Sequence, residues 1–298
     1  SGARSTKFTD VTYNRKDNQQ VPFKSTDVEM QIQEDFGFSL DTPMKEDFLN
    51  VHSKVVSDYG RDIIDNLKKS ECSMIGNLDR HEIKSPHRKQ MVVWMEEVLR
   101  IFKCPDTCFF LAVQIMDRYL ENSKTSLALS ELHEIGIVSM FIASKYQEVE
   151  PLTLDLMIKK VGHSKISEKA ILEREKKIMC TLKFKLSKPN PSSFIEAYTE
   201  YFTNRFESDE DKNQVRNLAM KIAKNGMFDR RLSFNVLPSE IALCSLIIAL
   251  KEYAKEVKRQ LLDASFSKSI KNELTSDESL VLQFGKRLRK LSFEHKSY

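Results

Sequence analysis

The sequence predicts an all-α protein made of two stacked five-helix units, with an additional helix on their N-terminal side. Glycine and proline are sparse, at 8 residues each in 298, which leaves few of the turns that an all-β fold requires. Two segments, residues 130–145 and 238–253, are apolar on nearly every face, as expected for helices at the centre of a bundle. Amphipathic segments at helical spacing flank both of them and would cover their apolar faces.

Four segments are expected along the chain. Residues 1–42 are polar with little periodicity, and we expect a disordered or loosely attached arm. Residues 43–86 hold an amphipathic helix, expected to pack against the first unit, followed by a linker. Residues 87–187 form the first unit, and residues 188–298 form the second unit with a C-terminal tail.

Turn and capping residues define the helices of the first unit. Pro105 ends the first of them, because proline cannot continue a helix and restricts the residue before it. Asp106 is predicted to cap the second helix, and Ser130 to cap the apolar third. The helices are expected at about residues 88–102, 106–120, 130–145, 153–161 and 167–182.

The second unit repeats this plan in its apolar pattern rather than in its sequence. Pro191 and Pro238 fit the first turn of a helix, where the missing N–H of proline has no partner to lose. Lys145 and Lys251 stand at corresponding places about 106 residues apart, each at the end of an apolar segment. The corresponding helices are expected at about residues 191–206, 212–228 and 238–250.

Composition and motifs exclude several functional classes. The net charge of +4 is too small to indicate a nucleic-acid partner. The 5 cysteines are scattered without a Cys-x-x-Cys pair, so we expect reduced thiols and no metal site. The longest apolar run, residues 241–250, is shorter than the roughly 20 residues that span a bilayer, so no membrane association is expected. Without a phosphate loop or a nucleophile triad, neither enzymatic activity nor a cofactor is predicted.

Several short motifs follow one another between Arg88 and Phe184. They are Trp94 with Glu97, the triplet Asp117-Arg118-Tyr119, the run Lys145-Tyr146-Gln147-Glu148, and Glu175 ahead of Leu182-Lys183-Phe184. Their order and spacing resemble the cyclin box of cell-cycle cyclins, and a looser resemblance continues through the second unit. The resemblance implies a regulatory subunit without catalytic groups, located in the nucleus and cytoplasm. It would form a heterodimer with a cyclin-dependent Ser/Thr protein kinase, activate that kinase allosterically and help to recruit its substrates.

The resemblance implies a kinase-binding surface around Lys145 and Glu175, which match a pair that contacts the kinase beside its C-helix. Lys145 follows an apolar helix, where a charge requires a partner. A lysine that snorkels at a helix end is the alternative reading of that position. The other positions that match kinase contacts are Tyr59, Ile63, Tyr146, Glu148, Met179, Phe184 and Leu186. Ordinary core packing is the alternative for the apolar ones.

A second implied site is a groove that binds Arg-x-Leu segments of substrates or inhibitors. Trp94 would form its floor, and Glu97 would hold the arginine of the segment. Met91 also lines this groove. Gln90 and His133 stand where the family has an isoleucine and a glutamine, so a more polar groove with altered specificity is expected.

Two alternatives stay open at this point. One is a protein of the same fold that binds nucleic acid, resembling a general transcription factor, and the other is a transcriptional cyclin. The subtype is also open, because Trp94-Met95-Glu96-Glu97 resembles D-type cyclins. Tyr59-x-x-Asp62-Ile63 instead resembles A-type and B-type cyclins. A scaffold of short helical repeats does not fit, because the two units are too long for such repeats.

Overall fold

The computed structural model describes residues 59–71, 80–163, 165–256 and 285–291. These residues contain helices and no strand, which confirms the predicted all-α class. None of the helices described there is long and apolar enough to cross a membrane. The predicted arm at residues 1–42 lies outside the described residues.

The helices follow the predicted order. Helix α1 covers residues 59–70, and the first unit contains α2 (Ser85–Ile101), α3 (Asp106–Asn122), α4 (Leu132–Gln147), α5 (Leu154–Leu156) and α6 (Glu168–Thr181). The second unit contains α7 (Pro191–Tyr201), α8 (Asp209–Met227), α9 (Arg230–Asn235), α10 (Pro238–Glu256) and α11, residues 285–291. Helix α5 continues as a π-helical turn, Met157–Val161, and short 3-10 turns lie at Leu129–Glu131 and Thr203–Arg205.

Polar side chains cap several helices, but two of the predicted caps are wrong. Ser167 caps α6, Asn190 caps α7 and Ser208 caps α8, each by accepting a hydrogen bond from a backbone N–H of the first turn. Asp106 instead is the first residue of α3, and its carboxylate accepts a hydrogen bond from Lys224 Nζ at 2.9 Å. Ser130 lies in the 3-10 turn before α4 and makes no cap there.

The two apolar helices form the centres of the two units, as predicted. Helix α4 is buried from Ile135 to Ser144 and packs against α2, α3 and α6. Helix α10 is buried from Ile241 to Leu250 and packs against α7 and α8. The units meet where α3 contacts α7 and α8. The core is therefore continuous from one unit to the other.

Helix α1 contacts the second unit near both of its described ends. A Cβ atom added to Gly60 would lie 2.8 Å from the ring of Tyr201, so the α1 backbone closely approaches α7 of the second unit. At the other end, the carboxylate of Glu71 accepts hydrogen bonds from Ser239 of α10. Both contacts are with the second unit, whereas the prediction placed α1 against the first.

A buried ion pair connects the two units. Arg88 of α2 donates to both carboxylate oxygens of Asp117 in α3, at 2.7 and 2.5 Å, and neither residue is exposed. The same guanidinium donates to the carbonyl of Met227 at 3.0 Å and to Ser233 Oγ at 2.9 Å. It lies 5.4 Å from the ring centroid of Phe234. The bonds to Met227 and Ser233 thus connect Arg88 of the first unit to the second unit, while the bonds to Asp117 hold α2 on α3.

Candidate functional site

An ion pair lies between the C-terminal end of α4 and the middle of α6. Lys145 Nζ pairs with the carboxylate of Glu175, and the ammonium lies 4.1 Å from the centroid of the Phe141 ring. The side chains are 38% and 18% exposed, so both charges are accessible from one surface. Because such a pair is partly solvated, it contributes only about 0–1 kcal/mol to folding. This is the geometry of a pair that is available to a partner.

Two aromatic side chains stand out from the surface near the ends of the same helices. Tyr146 follows Lys145 and is 55% exposed, and Phe184 follows α6 and is 68% exposed. An isolated apolar residue on a surface needs no explanation, but aromatic residues are enriched where proteins bind each other. Helix α4, helix α6 and the residues just after α6 thus present paired charges and exposed aromatic area.

The backbone holds Phe184 outward at a conformational cost. Lys183 and Phe184 have φ angles of 54° and 57°, in the left-handed region that favours glycine. The N–H of Phe184 donates to the carbonyl of Met179 at 2.9 Å, which closes the end of α6. Arg118 then holds the following residues by donating to the carbonyls of Lys185 and Leu186, each at 2.7 Å. Strain that surrounding contacts maintain in this way is typical of functional sites.

The other implied kinase contacts differ in exposure. Met179 is half-buried, and Leu186 is buried at 8% exposure, which fits the core-packing alternative for Leu186. Glu148 is half-buried, and its Oε1 atom has no hydrogen-bond partner among the described residues. Tyr59 and Ile63 lie one turn apart on α1, 58% and 43% exposed. The ion pair, Tyr146, Phe184 and the exposed face of α1 are therefore the accessible parts of the predicted set.

Two exposed apolar residues, one on α6 and one just after α4, were not predicted. Leu172 is 44% exposed and lies on the same face of α6 as Glu175 and Met179, at a spacing of three and seven residues. The exposure of Leu172 could have been predicted from this spacing once Glu175 was assigned to the surface. Val149 is completely exposed just after α4, and because it lies in a connecting segment no periodicity predicts its exposure.

The residues predicted to form a docking groove are only partly brought together. Trp94 and His133 stack with ring centroids 4.8 Å apart and a 49° angle between the rings, which brings two of its residues together. Gln90 and Glu97 are exposed. Met91 is buried, with its sulfur 2.5 Å from the position that a Cβ on Gly136 would take, so it packs on α4 rather than lining an open groove.

The surroundings of His133 determine the charge of its ring. Burial lowers the pKa of His133, and the positive charges of His163 and Lys165 lower it further. Since an ordinary histidine titrates near pH 6.5, the ring is neutral at pH 7. Trp94 and His133 thus form an uncharged aromatic pair, with the Glu97 carboxylate exposed on the same helix as Trp94.

The cysteines of the described residues carry free thiols. Burial raises the pKa of Cys244 to about 12, as expected of a structural thiol. The Cys104 thiol interacts with that of Cys108, which lowers the pKa of Cys104. Among the described residues no group of three or more His, Cys, Asp or Glu side chains is arranged to hold a metal ion.

Comparisons with known proteins address the family of this chain. The family model described as "Cyclin, N-terminal domain" matches residues 62–187. The G2/mitotic-specific cyclin-B of Emericella nidulans is 31% identical over 208 residues, which is 68% of this chain and 40% of that protein. The G1/S-specific cyclin-D1 of Mus musculus is 32% identical over 170 residues, 57% of this chain and 55% of that protein.

The chain is similar to solved structures as well. A viral cyclin from herpesvirus saimiri aligns with a TM-score of 0.57 at 18% identity, covering 74% of this chain and 96% of the viral one, which supports the fold. The chain spans only about two fifths of the mitotic cyclins from Emericella nidulans and Patella vulgata, 40% and 44%. Relatives of the A, B and D types match about equally well, so the subtype stays open. The match over residues 62–187, the cell-cycle relatives and the all-α fold together place this chain in the cyclin family.

Proposed function

We propose that this chain is a regulatory subunit that binds and allosterically activates a cyclin-dependent Ser/Thr protein kinase in cell-cycle control. The observation that carries the proposal is the accessible Lys145–Glu175 pair, which joins the C-terminal end of α4 to the middle of α6 and is accompanied by exposed Tyr146 and Phe184 near the C-terminal ends of these helices. Its relatives include G2/mitotic-specific and G1/S-specific cyclins. A nuclear and cytoplasmic location is part of the same proposal.

The activation would arise from unequal binding to two kinase conformations. Without a partner, the kinase holds its C-helix outward, so its catalytic lysine and glutamate do not pair. A subunit that binds the inward form more tightly shifts the population toward it, and this difference in affinity is the entire effect. Moving a kinase from almost wholly inactive to almost wholly active requires about 5.5 kcal/mol of differential binding. Helices packed on a continuous core can supply this, because little ordering is required when they bind.

The test is phosphorylation of a histone substrate by a panel of cyclin-dependent kinases. Each kinase is assayed alone and with this chain, and the chain is also assayed alone. We expect strong stimulation of at least one kinase and no phosphotransfer by the chain itself. Equal rates with and without the chain across the panel would refute the proposal.

Phe184 offers a way to separate folding from binding. We expect Phe184→Gly to weaken kinase binding about tenfold or more, because an exposed aromatic anchor is lost. The free energy of unfolding should stay constant or rise by up to about 1 kcal/mol, since glycine tolerates the left-handed backbone. Titration calorimetry with the kinase and denaturant unfolding measure the two effects.

Lys183→Gly is the matched control for this experiment. It relieves the same kind of strain one residue earlier, at φ 54°, but removes no aromatic side chain. It should therefore stabilise the chain comparably and leave kinase affinity almost unchanged. If both glycine variants weakened binding equally, backbone rigidity and not the Phe184 ring would be the important property.

The proposed recruitment of substrates depends on the groove at Trp94 and Glu97. We expect Glu97→Lys to raise the KM for a substrate with an Arg-x-Leu segment by about threefold to tenfold, because it replaces an exposed attractive charge by a repulsive one. The same substrate with Ala-x-Ala in place of Arg-x-Leu is the control and should be insensitive. A KM that does not change for either substrate would mean that this groove does not recognise the arginine.

A further inference from the structure

Glu71 supplies a helix cap that α10 lacks in its own sequence. Helix α10 begins at Pro238, so the residue at its N-cap position is Leu237, whose side chain has no polar atom. Glu240 satisfies the N–H of Leu237 at 3.1 Å. The N–H of Ser239 instead donates to Oε2 of Glu71 at 3.0 Å, and the Ser239 hydroxyl donates to Oε1 at 2.9 Å. A carboxylate from another helix thus takes the place of the missing cap.

This contact has features of a specific anchor. Ser239 is only 6% exposed, and Glu71 is half-buried, so water does not readily replace either partner. Burial raises the pKa of Glu71, whereas the two Ser239 donors oppose that shift. The partial positive charge at the N-terminus of a helix also favours a carboxylate there. The two hydrogen bonds from Ser239 and the positive end of α10 together favour the position in which the Glu71 carboxylate lies against the start of α10.

Helix α1 is anchored at both of its described ends. Glu71 continues the helical hydrogen bonding, because its N–H donates to the carbonyl of Leu67 at 2.9 Å. At the other end Gly60 lies against Tyr201, where no larger residue fits without movement. Between these anchors Tyr59 and Ile63 face outward. Tyr59 and Ile63 are four residues apart and therefore lie on one face of α1. A rotation of α1 about its axis would turn both side chains away from a partner.

We propose that Glu71 is a positioning residue, which fixes α1 on the second unit and so presents Tyr59 and Ile63 to the kinase. This inference rests on the proposed function. It assigns to the second unit a share in kinase binding, although the Lys145–Glu175 pair and Phe184 belong to the first unit. Glu71 itself need not touch the kinase.

The first measurement needs no kinase. Hydrogen exchange of the backbone amides in residues 59–71 should be faster in Glu71→Ala by about fivefold, the size expected when a helix cap of about 1 kcal/mol is lost. Glu240→Ala is the matched control, because it removes the acceptor for the N–H of Leu237 within α10 and leaves the bonds between Ser239 and Glu71 in place. Unchanged exchange in Glu71→Ala, or an equal increase in Glu240→Ala, would overturn the anchoring role.

The second measurement is a double-mutant cycle with the kinase. Glu71→Ala should weaken kinase binding about fivefold, and Ile63→Ala should cost affinity in the parent chain but almost none in Glu71→Ala. Glu71 and Ile63 are eight residues apart, so such coupling would come from the position of α1. Full additivity would show that Glu71 is only structural. If the parent chain binds no kinase, the proposed function fails while the exchange experiment still decides the anchoring.

Discussion

Arg88→Ala is expected to lower the free energy of unfolding by about 3–5 kcal/mol, because the substitution leaves the Asp117 carboxylate buried without its partner. Both residues are completely buried, and Arg88 makes contacts in both units. For a chain of this size, about 2–4 °C of melting temperature is lost per kcal/mol. Thermal melts and denaturant titration should therefore show a loss of about 6–20 °C.

The same substitution should reduce the cooperativity between the two units. Arg88 is bonded to Met227 and Ser233 of the second unit as well as to Asp117. Removing it breaks the bonds between the units, so the two units should no longer unfold in a single transition. Fluorescence of Trp94, the only tryptophan, reports the first unit, and hydrogen exchange reports the second.

Two controls make this prediction specific. Lys159→Ala removes an exposed partner of Asp155, with side chains 65% and 69% exposed, and should change stability by no more than about 0.5 kcal/mol. The double variant Arg88→Met with Asp117→Leu should lose less than Arg88→Ala alone, because no unpaired charge remains buried. A loss below about 1 kcal/mol in Arg88→Ala would mean that water reaches Asp117 and solvates it.

The helices were predictable because their signals are local. The apolar segments that became α4 and α10 required burial on every side, and only the centre of a bundle provides it. The caps at Asp106 and Ser130 failed because tertiary contacts compete with local capping. Lys224, more than a hundred residues away, pairs with Asp106 instead. A local sequence pattern cannot predict a partner that is so distant in the sequence.

The surface that α1 contacts was not predictable for the same reason. An amphipathic helix specifies which of its faces is buried but not what covers that face. The position of α1 is set by the contact of Gly60 with Tyr201 and by the hydrogen bonds of Glu71 with Ser239. Both contacts join residues that are more than a hundred positions apart in the sequence. Leu237 at the N-cap position was a usable signal, because its side chain has no acceptor for the N–H groups of the first turn of α10.

The candidate site was predicted through resemblance more than through chemistry. Lys145 was expected to need a partner, and the structure pairs it with Glu175. The left-handed backbone at Phe184 had no signal in the sequence, since glycine is the usual residue in that conformation. Leu186 matches a position that contacts the kinase in the family, but in this chain it is buried in the core. A match in sequence position alone therefore does not predict that a residue is accessible.

Lys145→Ala and Glu175→Ala are each expected to weaken kinase binding by about 2–5 kcal/mol, as when one member of a hydrogen-bonded charge pair at an interface is truncated. This corresponds to roughly thirtyfold to several-thousandfold in Kd. Folding should change by only about 1 kcal/mol, because the pair is partly exposed and adds one cation–π contact with Phe141. Titration calorimetry with the kinase measures the affinity, and thermal melts are the folding control.

The decisive variant reverses the pair. Lys145→Glu combined with Glu175→Lys keeps an ion pair between α4 and α6, so an internal structural role would be restored by it. The two charges presented to the kinase are exchanged, however, and like charges placed opposite each other at an interface cost several kcal/mol. We therefore expect the reversed pair to fold normally and to bind the kinase no better than either alanine variant. Binding restored to the parent affinity would mean that Lys145 and Glu175 serve each other and not the kinase.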